Sequence, residues 1–355
     1  MLLRRTRPTT LITSVLLFCV AQPVLAQSLQ TFRIDPKHIY VAGISSGGAM
    51  AVQMSVAYSR LFKGTAIYAG LPYYCAQGSE ETALTTCEED APTAIDLPTL
   101  ESITRKYAAQ HLIDPLRYLK QQRIYLWSGT LDVTVRQPAM DLLRTYYNDF
   151  HAHVFRYDND FKAAHGWESP YGPNPCAVED SPFVILCLDS DRNGGSGSGS
   201  YDSEQVWLAE FLGKLKPKND GTLSGALVPF DQNEFAAGGV AANIGMDALG
   251  YAFVPQSCAQ KKTCGLILAL HGCNQYHGEI GSAFIDDAGL NQWADTNNIV
   301  VLYPQTIETV ANPAGCWNWW GYLNDPNYAQ KNGPQMQALF NIVKQAAGKS
   351  VPAGG

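Results

Sequence analysis

Ile39-Tyr40-Val41-Ala42-Gly43-Ile44-Ser45-Ser46-Gly47-Gly48 is a β-prone apolar run entering G-x-S-x-G, and the small-residue stretch Ala49-Met50-Ala51-Val52-Gln53-Met54 that follows has helical character. Strand, tight turn and helix in that order lift a serine onto an exposed bend, the context in which this motif carries a nucleophile. The flanking glycines permit the turn, and the Ser46 N–H falls at a helix N-terminus, where negative charge is favoured. A second apolar run, Leu266-Ile267-Leu268-Ala269-Leu270, ends in His271-Gly272-Cys273 more than two hundred residues later and reads as an oxyanion loop. Two halves of one acyl-transfer site in this order predict a permuted fold.

Between and around them, strand-like runs recur at Ile39–Ala42, Gly64–Tyr68, Arg123–Trp127, His153–Tyr157, Leu266–Leu270 and Ile299–Tyr303. Helical segments separate them at Gly48–Tyr58, Pro98–Gln110, Pro138–Phe150, Ser203–Leu212, Ala283–Thr296 and Gln335–Ala346. Such alternation predicts an α/β fold with a mostly parallel sheet flanked by helices. With the serine turn and the His-Gly-Cys loop, the expectation is a single, circularly permuted α/β-hydrolase catalytic domain over 27–350. In the last helix Met336, Leu339, Phe340 and Val343 make one apolar face toward a core. The Gly- and aromatic-rich Leu223–Val254 stretch predicts β-hairpin material at the sheet edge. Asn193–Ser200, rich in Gly and Ser, predicts a surface loop.

Arg4, Arg5 and Arg7 precede an apolar stretch from Leu11 to Val20 and the small-residue site Val24-Leu25-Ala26, the pattern of a signal peptide over residues 1–26. The apolar run is about half the roughly 20 residues that a spanning helix needs. Export without stable membrane insertion is therefore expected, to the extracellular space or the periplasm. The remaining chain carries 22 basic against 32 acidic residues, a formal charge of −10, which argues against nucleic acid and anionic membranes as partners. Its eight cysteines, an even number in an exported chain, favour disulfides over a metal site. Locality pairs Cys75 with Cys87, Cys176 with Cys187 and Cys258 with Cys264, leaving Cys273 for Cys316 among about 105 possible connectivities. Neither paired C-x-x-C nor a phosphate-binding G-x-x-x-x-G-K-[ST] loop occurs, so no metal or cofactor is expected. A monomer is expected.

A serine nucleophile needs a base within reach and donors for the oxyanion. Arg123-Ile124-Tyr125-Leu126-Trp127-Ser128-Gly129-Thr130-Leu131-Asp132 is a strand leading into a loop with an acid, and Asp132 is the expected orienting carboxylate. Asp158 and Asp160 are rivals that read as turn residues. His165, in Ala163-Ala164-His165-Gly166-Trp167, gives the chain order Ser45, Asp132, His165 expected of α/β-hydrolases. His277 is its nearest competitor but would break that order. Backbone N–H groups of Ser46 and Cys273 are the expected oxyanion hole. Because the base must be neutral, activity is expected to fall on acidification through about 6.5, the ordinary histidine pKa.

Cys316-Trp317-Asn318-Trp319-Trp320-Gly321-Tyr322 places three tryptophans in a loop ill suited to a core strand, so at least one is expected to line an apolar substrate cleft. Together with Gly43-Ile44-Ser45-Ser46-Gly47-Gly48-Ala49-Met50 and Leu270-His271-Gly272-Cys273, this segment resembles the extracellular poly(3-hydroxybutyrate) depolymerases and their esterase relatives, in their circularly permuted type. The resemblance covers nearly the whole mature chain. It implies cleavage of a polyester or 3-hydroxyalkanoate oligomer by Ser45, Asp132 and His165, with a tryptophan near Trp317 in the crevice. It also implies a cut after the helix ending near Gly348 and a restart at Ile34-Asp35-Pro36. A feruloyl or acetyl esterase would use the same fold and triad, and a non-catalytic polymer-binding protein would use the aromatic loop alone.

Overall fold

The computed structural model describes residues 27–89 and 94–351; the expected signal peptide lies outside the described residues. An eight-stranded sheet forms the frame, in the order β4-β3-β2-β1-β10-β11-β9-β8. Its strands are β1 (Ile34–Ile44), β2 (Gly64–Tyr68), β3 (Arg123–Trp127), β4 (His153–Asp158), β8 (Ala226–Asp231), β9 (Leu249–Val254), β10 (Cys264–Leu270) and β11 (Ile299–Tyr303). β5 (Trp167–Glu168), β6 (Asn174–Pro175) and β7 (Val184–Leu186) form a small separate sheet. From β4 across to β11 all neighbours are parallel, while β9 and β8 add antiparallel at the edge. The 223–254 stretch is thus two edge strands, with three short 3-10 turns between them that the sequence reading did not anticipate.

Side chains of β1 alternate between two cores, as a pleat demands. Ile39 and Val41 pack on one face with α1 (Ser46–Ala57), α3 (Gln137–Asp149) and α6 (Pro334–Ala347), and α2 (Leu97–Ala109) contributes Leu97. Tyr40, Ala42 and Ile44 pack on the other with Trp207, Leu208 and Phe211 of α4 (Ser203–Leu212) and Trp293 of α5 (Leu290–Asn297). Every residue of α1 is buried, which fits its mostly small or apolar sequence, and the buried Gln53 amide donates to Asn318 O and Tyr328 O (3.3 Å each). The expected 283–296 helix is interrupted: Ala283–Asp287 ends before Gly289, whose φ of 72° starts α5 afresh. Periodicity alone continues across such a break. No helix among the described residues is long and apolar enough to cross a membrane.

Two ends of the described chain meet. Phe32 N–H donates to Ala346 O (2.7 Å), Gln345 Nε2 to Leu29 O (2.8 Å) and Ser350 Oγ to Ile34 O (2.5 Å). A break in strand succession therefore falls between β4 and β8, not inside the sheet, and β10 docks beside β1 although it comes late in the chain. Joining residues 28 and 350 by a short linker and opening the chain within 214–222 is expected to keep the fold, because it cuts none of the eight strands and costs only the Gln27–Phe230 bridge. Circular dichroism and thermal melting check this: melting within about 3 °C of the parent, roughly 1–2 kcal/mol, is expected, and loss of the cooperative transition contradicts it.

Candidate active site

Ser45 sits between β1 and α1 with φ 57° and ψ −124°, a positive φ that a β-carbon makes costly and that is found where a side chain is held out for function. Its own N–H is tied to Tyr68 O (2.9 Å) at the end of β2. Gly47 is obligatory for another reason: a β-carbon there would lie 2.2 Å from His271 O and 2.3 Å from Leu270 O. The first turn of α1 is thereby pressed flush against the end of β10. At Gly272 a β-carbon would lie 3.1 Å from Ser45 Cβ, so the loop leaving β10 abuts the serine. The loop amides on either side of Cys273 are engaged, Gly272 N–H with Gln275 Oε1 (2.6 Å) and Asn274 N–H with Ala314 O (2.7 Å). Cys273 N–H has no acceptor among the described residues. Ser46 N–H opens α1, where an amide has no intrahelical acceptor.

Loops after β3 and β4 deliver the acid and the imidazole. Thr130 N–H donates to Phe161 O (2.9 Å) and Leu131 N–H to Ala163 O (3.0 Å), and a β-carbon on Gly129 would lie 2.0 Å from Ala163 O. This close stacking sets His165 Nδ1 2.9 Å from Asp132 Oδ2, with both residues buried. The other Asp132 oxygen accepts from Thr134 N–H (3.0 Å) and Val135 N–H (2.8 Å), so the turn-forming and histidine-facing roles coexist in one carboxylate. With Nδ1 occupied, Nε2 is the imidazole nitrogen left for other chemistry. Burial works to lower the His165 pKa, but the charge and hydrogen bond of Asp132, with Glu179 and Glu88, hold it above the ordinary value. The expected midpoint of about 6.5 is corrected upward accordingly.

Rival residues have structural partners. Asp158 is buried between Arg156 and Arg192 (2.7 Å each) and the hydroxyls of Tyr125 and Tyr201, and Asp160 pairs with Arg192 (3.0 Å). The His277 ring stacks on Tyr251. Burial drives the His271 pKa down to about 4, which keeps it neutral at working pH, with Nδ1 beside Gly272 O (2.7 Å) and Nε2 facing the Thr306 hydroxyl (3.3 Å).

Ser45 and His165 open into one cavity of about 310 Å³, walled by Phe183, Cys273, Trp319 and Trp320 and edged by Leu84, Glu88, Thr134 and Glu179. A larger surface cleft of about 650 Å³, beside Tyr171 and Trp293, contains neither residue. Trp317 departs from expectation. It is fully buried outside the cavity, and its indole N–H donates to His271 O (3.0 Å). A buried indole needs an acceptor, and this one finds it on the oxyanion loop, so Trp317 is a brace and its two neighbours face the cleft. Disulfides join Cys75–Cys87, Cys176–Cys187, Cys258–Cys264 and Cys273–Cys316. The last ties the oxyanion loop to the tryptophan segment, and Ala164 N–H donates to Cys176 O (2.8 Å), so the second supports the histidine loop. Sequence reading missed Gln275, whose Nε2 donates to Pro182 O (2.8 Å) and Phe183 O (3.1 Å) while its Oε1 holds Gly272. Its only signal was a polar residue two positions after Cys273.

Relatives of known kind are similar to this chain over nearly its full length. A poly(3-hydroxybutyrate) depolymerase of Delftia acidovorans is 40% identical over 91% of this chain, which spans 62% of that relative's length. A polyhydroxybutyrate depolymerase of Talaromyces funiculosus is 36% identical, with 92% of this chain and 94% of the relative covered. The chain belongs to the poly(3-hydroxybutyrate) depolymerase family. No family model matches it. Among solved structures, the depolymerase from Penicillium funiculosum superposes with a TM-score of 0.77 at 33% identity, covering 90% of this chain and 99% of that one. A serine-to-alanine PHB depolymerase complexed with an R3HB trimer gives 0.78 at the same identity and coverage. The fold is that of the α/β-hydrolases, in permuted order.

Two predictions separate the tryptophans and test the imidazole. Trp317→Phe is expected to lower stability by about 1–3 kcal/mol, since it orphans His271 O, and to lower kcat with little change in KM. Trp320→Leu is expected to raise KM more than it lowers kcat; melting curves and Michaelis kinetics distinguish the two, and the opposite pattern contradicts the assignment. A base must be neutral to take a proton, so with His165 in that role kcat/KM is expected to rise with pH through a midpoint above about 6.5. A pH–rate profile with its acid limb at or below that value contradicts the raised pKa.

Proposed function

We propose that this depolymerase-family protein is an exported serine esterase that hydrolyses poly(3-hydroxybutyrate) or short 3-hydroxyalkanoate oligomers. The observation that carries this reading is that His165, held by Asp132 at 2.9 Å, lines the same cavity as Ser45 and Cys273. Ser45 Oγ attacks an ester carbonyl as His165 Nε2 takes its proton, and Asp132 holds the tautomer and stabilises the imidazolium. The oxyanion is received by Ser46 N–H and Cys273 N–H, each such donor contributing roughly 3 kcal/mol to lowering the barrier. The imidazolium protonates the departing alkoxide, completing the acyl-enzyme. Water, deprotonated by His165, then attacks the acyl carbon, and Ser45 regains its proton as the ester to Oγ breaks. Phe183, Trp319 and Trp320 supply apolar walls for a methyl-bearing ester chain. Residues 27–350 act as one catalytic domain in a monomer, after cleavage near Ala26 and release from the cell.

A clearing and product assay on amorphous polyester, hydroxybutyrate oligomers and a feruloylated sugar tests this reading. Clearing of the polyester with release of hydroxybutyrate units is expected, together with a loss of about 10⁴-fold or more in kcat for Ser45→Ala and for Asp132→Asn. Turnover of the sugar ester alone would move the protein to the plant-polysaccharide esterases. Binding of polymer with no turnover, and no labelling of Ser45 by a serine-reactive probe, would leave a binding protein.

A further inference from the structure

The cleft beside Ser45 carries a charge pattern that ester cleavage itself does not require. Glu88, half-buried, comes from a helical segment with π-type hydrogen bonding (Thr82–Glu89), and Glu179, exposed, comes from the loop between β6 and β7. Both line the cavity that contains Ser45 and His165, and no Lys or Arg lines it among the described residues. Glu179 is oriented by the Thr134 hydroxyl, which donates to its Oε1 (2.5 Å). The charges of both residues are felt at His165, which places them within electrostatic reach of the reacting atoms.

We propose that Glu88 and Glu179 make this cleft reject the anionic end of an oligoester, so that the enzyme prefers ester bonds remote from a free carboxylate, or with that carboxylate capped. The inference rests on the polyester-cleaving reading of the site. An oligomer of a hydroxy acid has a hydroxyl end and a carboxylate end. When Ser45 attacks, the bond from acyl carbon to ester oxygen breaks, and the alcohol fragment that leaves carries the original carboxylate. A one-unit leaving fragment brings that carboxylate close to the reacting ester, whereas a longer one keeps it farther away. Hydrolysis of the acyl-enzyme then creates a second carboxylate at Ser45 itself, and the same two acids favour its departure. Like charges within several ångströms repel even in a polar rim. Because Glu179 is exposed, salt screens the effect with a Debye length of about 8 Å at physiological ionic strength.

The test compares kcat/KM for the hydroxybutyrate trimer as free acid and as methyl ester, followed by chromatography of the released units, at a pH above the His165 midpoint. Wild-type protein at low salt is expected to prefer the ester about tenfold, and the preference should shrink in 0.5 M salt. Glu88→Gln with Glu179→Gln should bring the ratio to threefold or less, mainly by improving the free acid. Glu179→Lys should lower the ratio further. Taking a ratio cancels any effect of these substitutions on the basicity of His165. No preference in the wild type, or a preference that the double substitution leaves intact, overturns the proposal. Failure to hydrolyse either form, with polyester also untouched, would remove the polyester reading and this inference with it.

Discussion

Parallel pairing of β1 with β10, Val41 beside Leu268 and Gly43 beside Leu270, is the constraint on which the site depends. It brings the serine turn and the His-Gly-Cys loop to the same edge of the sheet from opposite ends of the chain. Gly47 converts that adjacency into contact, because any side chain there would run into the carbonyls of Leu270 and His271. The strained serine and the abutting loop are thus set by packing between two central strands.

Other catalytic parts hang on the same sheet in sequence. β2 fixes the Ser45 amide through Tyr68 O, and β3 and β4 lead into the loops that carry Asp132 and His165, which stack carbonyl against glycine. The brace from Trp317 to His271 holds the His-Gly-Cys loop from outside the cleft, and the Cys273–Cys316 bond holds it at the cleft wall.

Much of this was legible in the residues. Strands 64–68, 123–127 and 299–303 and helix 203–212 fall on the expected boundaries, because short apolar or amphipathic runs end at clear turn signals. The chain order of Ser45, Asp132 and His165 anticipated their convergence, since each follows a parallel strand and loops at one sheet edge meet. What was not legible depended on three-dimensional partners. The break at Gly289 is a backbone event inside an otherwise periodic segment. The burial of Trp317 is decided by a carbonyl 46 residues away in sequence. Gln275, Glu88 and Glu179 carry no local motif, and only the folded loops reveal what they face.

A crystal structure of the protein inhibited by an alkyl phosphonate tests the central claim most directly, because the phosphonyl oxygen stands in for the oxyanion. The account predicts a covalent bond to Ser45 Oγ, with that oxygen within about 3.1 Å of both Ser46 N–H and Cys273 N–H and His165 Nε2 facing the leaving-group side. An adduct on another residue, or an oxygen turned away from the Cys273 amide, would contradict it.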